Sequence, residues 1–433
     1  MPVQRIGLRF ASALSLSFIL GACSNNTMNG VFPNTQQETG QSNPDACSSS
    51  SLIQNRFIVK WADGHTSVES GENAETFKRK FIAPRMGKIT HVEFDQKLHI
   101  QQEQTPAASP NVDPPPNWGQ DIVQASSAWN AGINGQGVLV GVVDAAVDYT
   151  HPQIKPRLAA NLAEVNGKSG IDDDGNGFID DLYGWDFEQN VPDPHKIIYP
   201  MPVNPADDGN IHGTHVSGII AADHKTGKMQ GIAPEAQIVP ANFMDSSGSG
   251  SLGAAIQAIE YVSSRGVKVI NASWGGSSCS QALKTTIAGL AAKNILFVVA
   301  SGNDFHDLDM VPDYPANFTF DHQITVAASN SNDILTAFSN NSYNFVHLGA
   351  PGQTIYSTIP GPAGYKNLDG TSMATPFVTG TAALLWSLRP NATYAQIKQA
   401  ILAGTDYRSF RVKTQGRLNI SNSINALKQM LPQ

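Results

Sequence analysis

Four residues with the chemistry of a proton-transfer site stand in short, recognisable contexts along the chain. An apolar run ends in Asp144, and His212 is followed by Gly-Thr-His. Asn303 follows Ser-Gly after another apolar run, and Ser372 stands within Gly-Thr-Ser-Met-Ala-Thr-Pro. A serine hydroxyl is a weak nucleophile unless a histidine takes its proton and a carboxylate orients that histidine. We therefore predict Ser372 as nucleophile, His212 as general base and Asp144 as the orienting acid.

A serine nucleophile that attacks a carbonyl produces an oxyanion, which needs hydrogen-bond donors. The apolar run that follows Ser372 predicts a helix, and unpaired backbone N–H groups point outward at a helix N-terminus. The Asn303 side-chain amide would supply a second donor. Gly370 would let a substrate approach closely, and Pro376 is tolerable if it falls in the first helical turn.

Strands and helices alternate in the part of the chain that carries these residues. Apolar runs predict strands at 137–143, 237–242, 267–272, 295–300 and 324–328, and helical spacing predicts helices at 212–223, 252–264, 281–293 and 372–388. This alternation predicts an α/β domain with a mostly parallel central sheet flanked by helices. In such sheets the strand C-termini and helix N-termini gather on one side, so the four residues can meet in one cleft.

The order Asp, His, Ser and the residues around His212 and Ser372 resemble the subtilase family, peptidase family S8, from about Trp118 to the end of the chain. The resemblance implies a three-layer subtilisin-like domain over 117–433. It also implies a serine endopeptidase that cleaves polypeptides through an acyl-enzyme, with broad specificity. Substrate-binding roles follow by resemblance for two strands and a neighbouring glycine: Ser273, Trp274 and Gly275, opposed by Gly248 and Gly250, with Gly302 beside them.

The first motif departs from the family pattern. Subtilases usually have Ser-Gly or Thr-Gly after the aspartate, whereas Ala145 and Ala146 follow Asp144 here. The hydroxyl that would support the carboxylate is missing and the flexible glycine is replaced. We expect Asp144 to keep its role, and the departure leaves open whether activity is reduced or the cleft geometry altered. The alternative is a non-catalytic surface-binding protein on a decayed protease fold. A metal pair of His212 and His215 fits less well, because His-Glu-x-x-His is absent, and His215 is predicted to be a packing residue.

An acidic segment at 171–181 accounts for five of the carboxylates behind the formal net charge of -8. Oxygen ligands at alternate positions, with glycine at the sixth, resemble the start of an EF-hand loop, although Tyr183 replaces the glutamate at position twelve. We predict a structural Ca²⁺ site, with a solvated acidic turn as the alternative. The predicted ligands are Asp172, Asp174, Asn176, Phe178 and Asp180. No basic run is present, so nucleic-acid binding is not expected.

The first residues indicate export. Arg5 and Arg9 precede an apolar run, and Leu-Gly-Ala leads into Cys23. This pattern resembles the lipobox of bacterial lipoproteins, which implies a signal peptide over 1–22 and a diacylated Cys23 that anchors the chain at the cell envelope. Ser24 after the cysteine indicates the outer membrane in Gram-negative lipoproteins. The polar segment 23–51 is predicted to be a flexible tether.

A small α+β module is predicted over 52–100, with strands near 56–61 and 91–94 and a helix near 74–79. A Pro-rich linker over 101–116 follows it. The position and length of the 52–100 module resemble those of a subtilase prosegment. The resemblance implies that the module chaperones folding and inhibits its own protease. Whether processing releases the enzyme from its anchor stays open. Cys47 and Cys279 could form a disulfide in an oxidising compartment or remain free thiols.

Overall fold

The structure is a computed structural model that describes residues 51–100, 114–191, 208–361 and 364–432, without the side chains of 208–210. The predicted signal peptide, Cys23, nearly all of the tether and most of the linker lie outside these ranges. No helix within the described ranges has the length and apolar content needed to cross a membrane.

Ten α-helices are described: α1 Ala74–Phe77, α2 Trp118–Ile122, α3 Ser126–Asn130, α4 Leu162–Val165, α5 Asp208–Ala221, α6 Leu252–Ser264, α7 Gln281–Gly289, α8 Thr371–Leu388, α9 Tyr394–Ala403 and α10 Ile420–Met430. The described strands are β1 Leu52–Trp61, β2 Thr66–Ser70, β3 Ile89–His99, β4 Leu139–Asp144, β5 Trp185–Asp186, β6 Gln237–Asn242, β7 Ser249–Ser251, β8 Val269–Ala272, β9 Leu296–Ala300, β10 Gln323–Ser329, β11 Leu348–Pro351, β12 Ile355–Thr358, β13 Tyr365–Leu368, β14 Asp406–Tyr407 and β15 Gly416–Arg417.

The central sheet has nine strands in the order β14-β15-β11-β10-β9-β8-β4-β6-β5. Its pairs are parallel except for the short antiparallel pair β14–β15 at one edge. Parallel strands need crossover connections, and the helices between them provide these. The prediction of a mostly parallel α/β sheet is confirmed.

Helices cover both faces of this sheet, and β4 shows how the sequence produces the three layers. Val140 and Val142 pack into one apolar cluster with α5, α8, α9 and α10, while Val143 packs into a second cluster with α6 and α7. Successive side chains of a strand point to opposite faces, so a strand buried on both sides must be apolar at every position. The first cluster holds α5 and α8 against each other on one face of the sheet.

The N-terminal segment forms a separate four-stranded antiparallel sheet in the order β2-β1-β3-β7. Its core contains Phe57, Val59, Phe77 and Val92. The helix predicted near 74–79 is α1, which continues as a π-helix over Lys78–Ile82. The fourth strand of this sheet, β7, comes from the chain immediately before α6, so the sheet joins the predicted prosegment to the rest of the protein.

Three local expectations about the helices were wrong. His212 does not open its helix, because α5 begins at Asp208. Pro376 does not lie in the first turn of α8, because the helix begins at Thr371 and the proline is inside it. The helix predicted over 281–293 is also divided into α7 and a short 3-10 turn at Ala291–Lys293. By contrast, β6 and α6 have the predicted bounds.

Candidate active site

The carboxyl end of β4 brings Asp144 against α5. Asp144 and His212 are both buried, and Nδ1 of His212 donates to Oδ1 of Asp144 at 2.6 Å. The backbone N–H of Ala145 donates to the same oxygen at 2.7 Å. A Cβ on Gly213 would lie 2.2 Å from the Ala145 carbonyl oxygen, so only glycine lets α5 approach this strand end so closely. The contact holds the histidine with its proton on Nδ1 and leaves Nε2 as the basic nitrogen.

The second carboxylate oxygen of Asp144 lacks the donor that a serine or threonine at position 145 would supply. Oδ2 is buried and has no hydrogen-bond partner within the described part of the chain. Alanine has no side-chain donor, so the backbone N–H of Ala145 supports only one of the two oxygens. The orientation of the acid therefore depends on two hydrogen bonds to Oδ1.

Ser372 is the second residue of α8 and is buried. Its Oγ donates to the backbone carbonyl of Ser273 at 3.1 Å, immediately after β8. A serine hydroxyl has one hydrogen, so proton transfer to His212 requires this hydroxyl to turn away from Ser273. The packing of α5 against α8 brings the two helices that carry His212 and Ser372 together.

Asn303 is oriented by the start of α8. Its Oδ1 accepts hydrogen bonds from the backbone N–H and the Oγ1 of Thr371, both at 2.9 Å. A Cβ built on Gly370 would lie 3.4 Å from Asn303 Nδ2 and 3.5 Å from the backbone nitrogen of Ser372. Two N–H donors therefore border one small space beside Ser372, as an oxyanion hole requires.

The chain's own segment 97–100 lies between the two predicted substrate-binding strands. Leu98 pairs with Gly250 in an antiparallel ladder, and the backbone N–H of Ile100 donates to the Gly248 carbonyl at 2.7 Å. On the other side, His99 forms an antiparallel bridge with Gly275. Added strands of this kind use main-chain hydrogen bonds, which are the means by which extended peptides bind to sheet edges.

The remaining predicted substrate-binding residues have structural contacts. Trp274 is fully buried, and its Nε1 donates to the Val143 carbonyl at 2.9 Å, so its side chain belongs to the core. The Gly302 N–H donates to Thr371 Oγ1 at 3.1 Å, with φ at +111°. A positive φ of this size favours glycine, and here it directs an N–H toward the residue that orients Asn303.

His215 is a packing residue in the structure. It is fully buried, and its Nε2 lies 3.0 Å from the carbonyl oxygens of Ile355 and Lys366. Burial lowers the pKa of His215 to about 3, so the ring is neutral at neutral pH. Its contacts hold β12 and β13 on α5.

The acidic loop is folded by hydrogen bonds from its own backbone. Asp172 accepts from the N–H groups of Gly175, Asn176 and Gly177, and the bond from Gly177 contributes most to lowering the pKa of Asp172. Asp180 accepts from the Gly170 N–H at 2.7 Å. The carboxylates of Asp172 and Asp180 thus stabilise the loop by accepting hydrogen bonds from its backbone.

A different set of carboxylates converges. One oxygen each of Glu164, Asp174 and Asp181 lies within 4.8 Å of the others. Of these three, only Asp174 belongs to the predicted ligand set. The ring of Phe178, another predicted ligand position, packs against Trp185 and Tyr261. Asp181 is buried, which raises the pKa of its carboxyl. The sequence placed Asp181 in the acidic run, but nothing local pointed to Glu164, which comes from α4.

Cys279 is disulfide-bonded, which excludes the free-thiol alternative for this residue. The chain's other two cysteines, Cys23 and Cys47, lie outside the described residues.

Comparison with known proteins gives a consistent match. A model of the subtilase family matches residues 135–422. Subtilisin-like protease 1 of Plasmodium berghei (strain Anka) is 32% identical over 331 residues, which are 71% of this chain and 53% of the relative. Subtilisin-like protease 2 of Plasmodium falciparum is 32% identical over 71% of this chain and 21% of its own length. Subtilisin amylosacchariticus of Bacillus subtilis subsp. amylosacchariticus is 31% identical over 74% of this chain and 71% of its own length. The chain spans about half the length of the first of these relatives.

Proposed function

Because the chain belongs to the subtilase family, we propose that it is a serine endopeptidase that hydrolyses peptide bonds through Ser372, His212 and Asp144. The observation that carries the proposal is the pair of donors beside Gly370, Asn303 Nδ2 and the Ser372 N–H. A surface-binding protein on a decayed fold has no need for two N–H groups aimed at one space next to a buried serine.

The contacts support a definite sequence of proton and bond transfers. His212 Nε2 takes the Ser372 proton as Oγ attacks the scissile carbonyl carbon, and the carbonyl oxygen becomes an oxyanion held by the two donors. His212 then gives that proton to the leaving amine as the C–N bond breaks, which leaves an acyl-enzyme. Water repeats the attack with the same base, releases the acid and returns the proton to Ser372. Asp144 stabilises the imidazolium throughout.

Labelling with a fluorophosphonate probe tests the proposal, because the probe needs an activated serine. After cleavage near residue 100, the chain should label and should cleave an unstructured protein such as casein, while Ser372→Ala treated in the same way should do neither. Ser423→Ala, which removes another fully buried serine hydroxyl in α10, is the matched control and should label normally. Absence of labelling in a chain that folds, as judged by circular dichroism, would favour the surface-binding alternative.

We also propose that segment 52–100 inhibits the protease whose cleft it enters. Besides the strand in the cleft, carboxylates of this segment accept hydrogen bonds at the N-termini of two helices. Asp95 accepts from Gly253 at the start of α6 at 2.9 Å. Glu93 accepts from Ser280 Oγ and from the first N–H groups of α7. Negative charge is favourable at these positions, so the segment binds to the enzyme beyond the cleft. Latent activity that appears only after cleavage near residue 100 is the expected result.

A bound Ca²⁺ is proposed at the acidic loop, with Glu164, Asp174 and Asp181 as its carboxylate ligands. The donor set is chemically suitable, since Ca²⁺ prefers carboxylate and carbonyl oxygens. Its role would be to hold the loop and α4 together, away from the chemistry. Thermal melting should shift upward with added Ca²⁺ in the native chain and should not respond in Asp174→Asn. Asp309→Asn, at an exposed position, serves as control, and an equal response in the native chain and both variants contradicts the site.

We propose, finally, that the chain is exported and anchored through Cys23. The support is the order of Arg5, the apolar run and Cys23 in the sequence. Mass spectrometry of the N-terminus of exported protein should find acylated Cys23 and should report at the same time whether the segment to residue 100 has been removed. Unmodified Cys23 in membrane fractions contradicts the anchor.

A further inference from the structure

The proline inside α8 removes a helical hydrogen bond at the nucleophile. In an α-helix the N–H of each residue donates to the carbonyl four residues earlier. Pro376 has no N–H, and the carbonyl four residues before it belongs to Ser372. The Ser372 carbonyl therefore cannot accept the usual helical hydrogen bond from the residue four positions later.

The hydroxyl of Ser273 supplies the missing bond. Ser273 Oγ donates to the Ser372 carbonyl oxygen at 2.9 Å, and both residues are fully buried. The reverse contact, from Ser372 Oγ to the Ser273 carbonyl, is 3.1 Å. Ser273 thus contacts both the side chain and the backbone carbonyl of Ser372.

The direction of the Ser273 hydroxyl is set by a second buried residue. Asn271 Nδ2 donates to Ser273 Oγ at 2.9 Å, so the hydroxyl oxygen accepts there and its hydrogen is available for Ser372. Asn271 Oδ1 in turn accepts from Thr379 Oγ1, two turns along α8, at 2.8 Å. The three side chains form a continuous chain of hydrogen bonds from α8 through β8 and back to the start of α8.

We infer that Ser273 is a positioning residue for Ser372: its hydroxyl replaces the helical hydrogen bond that Pro376 cannot make. This sets the backbone of the first turn of α8, which carries both the Ser372 Oγ and one of the two N–H donors. The inference rests on the proposed role of Ser372 as nucleophile. It assigns Ser273 a function that is separate from pairing with a substrate.

The test is a set of variants made in the full chain and assayed after cleavage near residue 100. Ser273→Ala removes the side-chain bond but keeps the backbone carbonyl that accepts from Ser372. Because one buried hydrogen bond is lost, kcat for a peptide anilide should fall about five- to tenfold with KM unchanged. Ser423→Ala is the matched control, since Ser423 is also fully buried and its Oγ donates to the carbonyl of Asn419 at 2.7 Å. It should leave kcat unchanged.

Pro376→Ala provides the decisive comparison. Alanine restores an N–H that can donate to the Ser372 carbonyl, so in this background Ser273→Ala should cost no more than about twofold in kcat. An equal loss in both backgrounds overturns the inference, and so does a Ser273→Ala enzyme with normal kcat and only a lower free energy of unfolding. If Pro376→Ala fails to fold, the fluorophosphonate labelling rates of Ser273→Ala and Ser423→Ala still decide, because equal rates overturn the inference. Loss of labelling in the unmutated chain would instead refute the nucleophile itself.

Discussion

Replacing Asn303 by aspartate or alanine separates the two roles of this side chain. Its Oδ1 accepts two hydrogen bonds from Thr371 at the start of α8, both at 2.9 Å, and its Nδ2 borders the space beside Ser372. Aspartate has nearly the same shape and keeps an acceptor for Thr371. It replaces the donor by a negatively charged oxygen. Alanine removes both functions.

The two variants should differ in stability. Alanine leaves a buried N–H and a buried hydroxyl of Thr371 without their acceptor, so the free energy of unfolding should fall by about 1–3 kcal/mol. Aspartate should stay within about 1 kcal/mol of the native chain, because a carboxylate is also favourable near a helix N-terminus. Urea unfolding followed by circular dichroism measures both values.

Their catalytic defects should be large and in the opposite order. Loss of one oxyanion donor lowers kcat by roughly 10²–10³, a magnitude known for subtilisin and transferred to this relative. That loss is expected for Asn303→Ala, with KM nearly unchanged. Asn303→Asp should be worse, since its charge repels the oxyanion. Single-turnover acylation of a peptide anilide is the assay. An aspartate enzyme that is stable and keeps more than about a tenth of native kcat would refute the oxyanion role.

Two further predictions follow from buried contacts elsewhere. In the full chain, Leu98→Asp together with Ile100→Asp should shorten the lag before protease activity appears. Both side chains are buried in the cleft, so charge there weakens the binding of the inhibitory strand. An unchanged lag counts against the proposed inhibition. Burial, followed by the nearby charge of Lys413, lowers the pKa of Lys398 from 10.5 to about 8. The folded state therefore disfavours the charged amine, so the free energy of unfolding should rise as pH increases from 8 toward 10.5, and Lys398→Met should remove that rise in pH-dependent urea titrations.

Local sequence was a good guide where one residue pattern decides the structure. The apolar strand that ends at Asp144 and the amphipathic helix α6 form where their patterns predict them. The order of residue types predicted that Asp144 and His212 meet in one cleft, and the structure shows a hydrogen bond between them. Burial on both faces of the sheet leaves few alternatives for such strands.

Features that depend on distant contacts could not be predicted in the same way. The helix α8 begins at Thr371, so Pro376 lies in its second turn, and the missing bond is made by Ser273 from another strand. Nothing in the local pattern near Glu164 indicates that it approaches Asp174 and Asp181. Such approaches are decided by which elements pack together, and this is set by the whole fold.

The departure at Ala145 leads to a prediction of its own. Asp144 Oδ2 is buried and has no hydrogen-bond partner within the described part of the chain, a situation that costs about 1–3 kcal/mol for a polar group. Ala145→Ser would add a hydroxyl beside the carboxylate at a position already supported by its backbone N–H. We expect the free energy of unfolding to rise by about 1 kcal/mol and kcat to be equal or higher, since the acid that orients His212 is then held at both oxygens. Ala146→Ser, at the next buried position, is the control and should give neither gain. If Ala145→Ser lowers both stability and kcat, the buried oxygen does not need a donor, and the alanine is the better residue at this position.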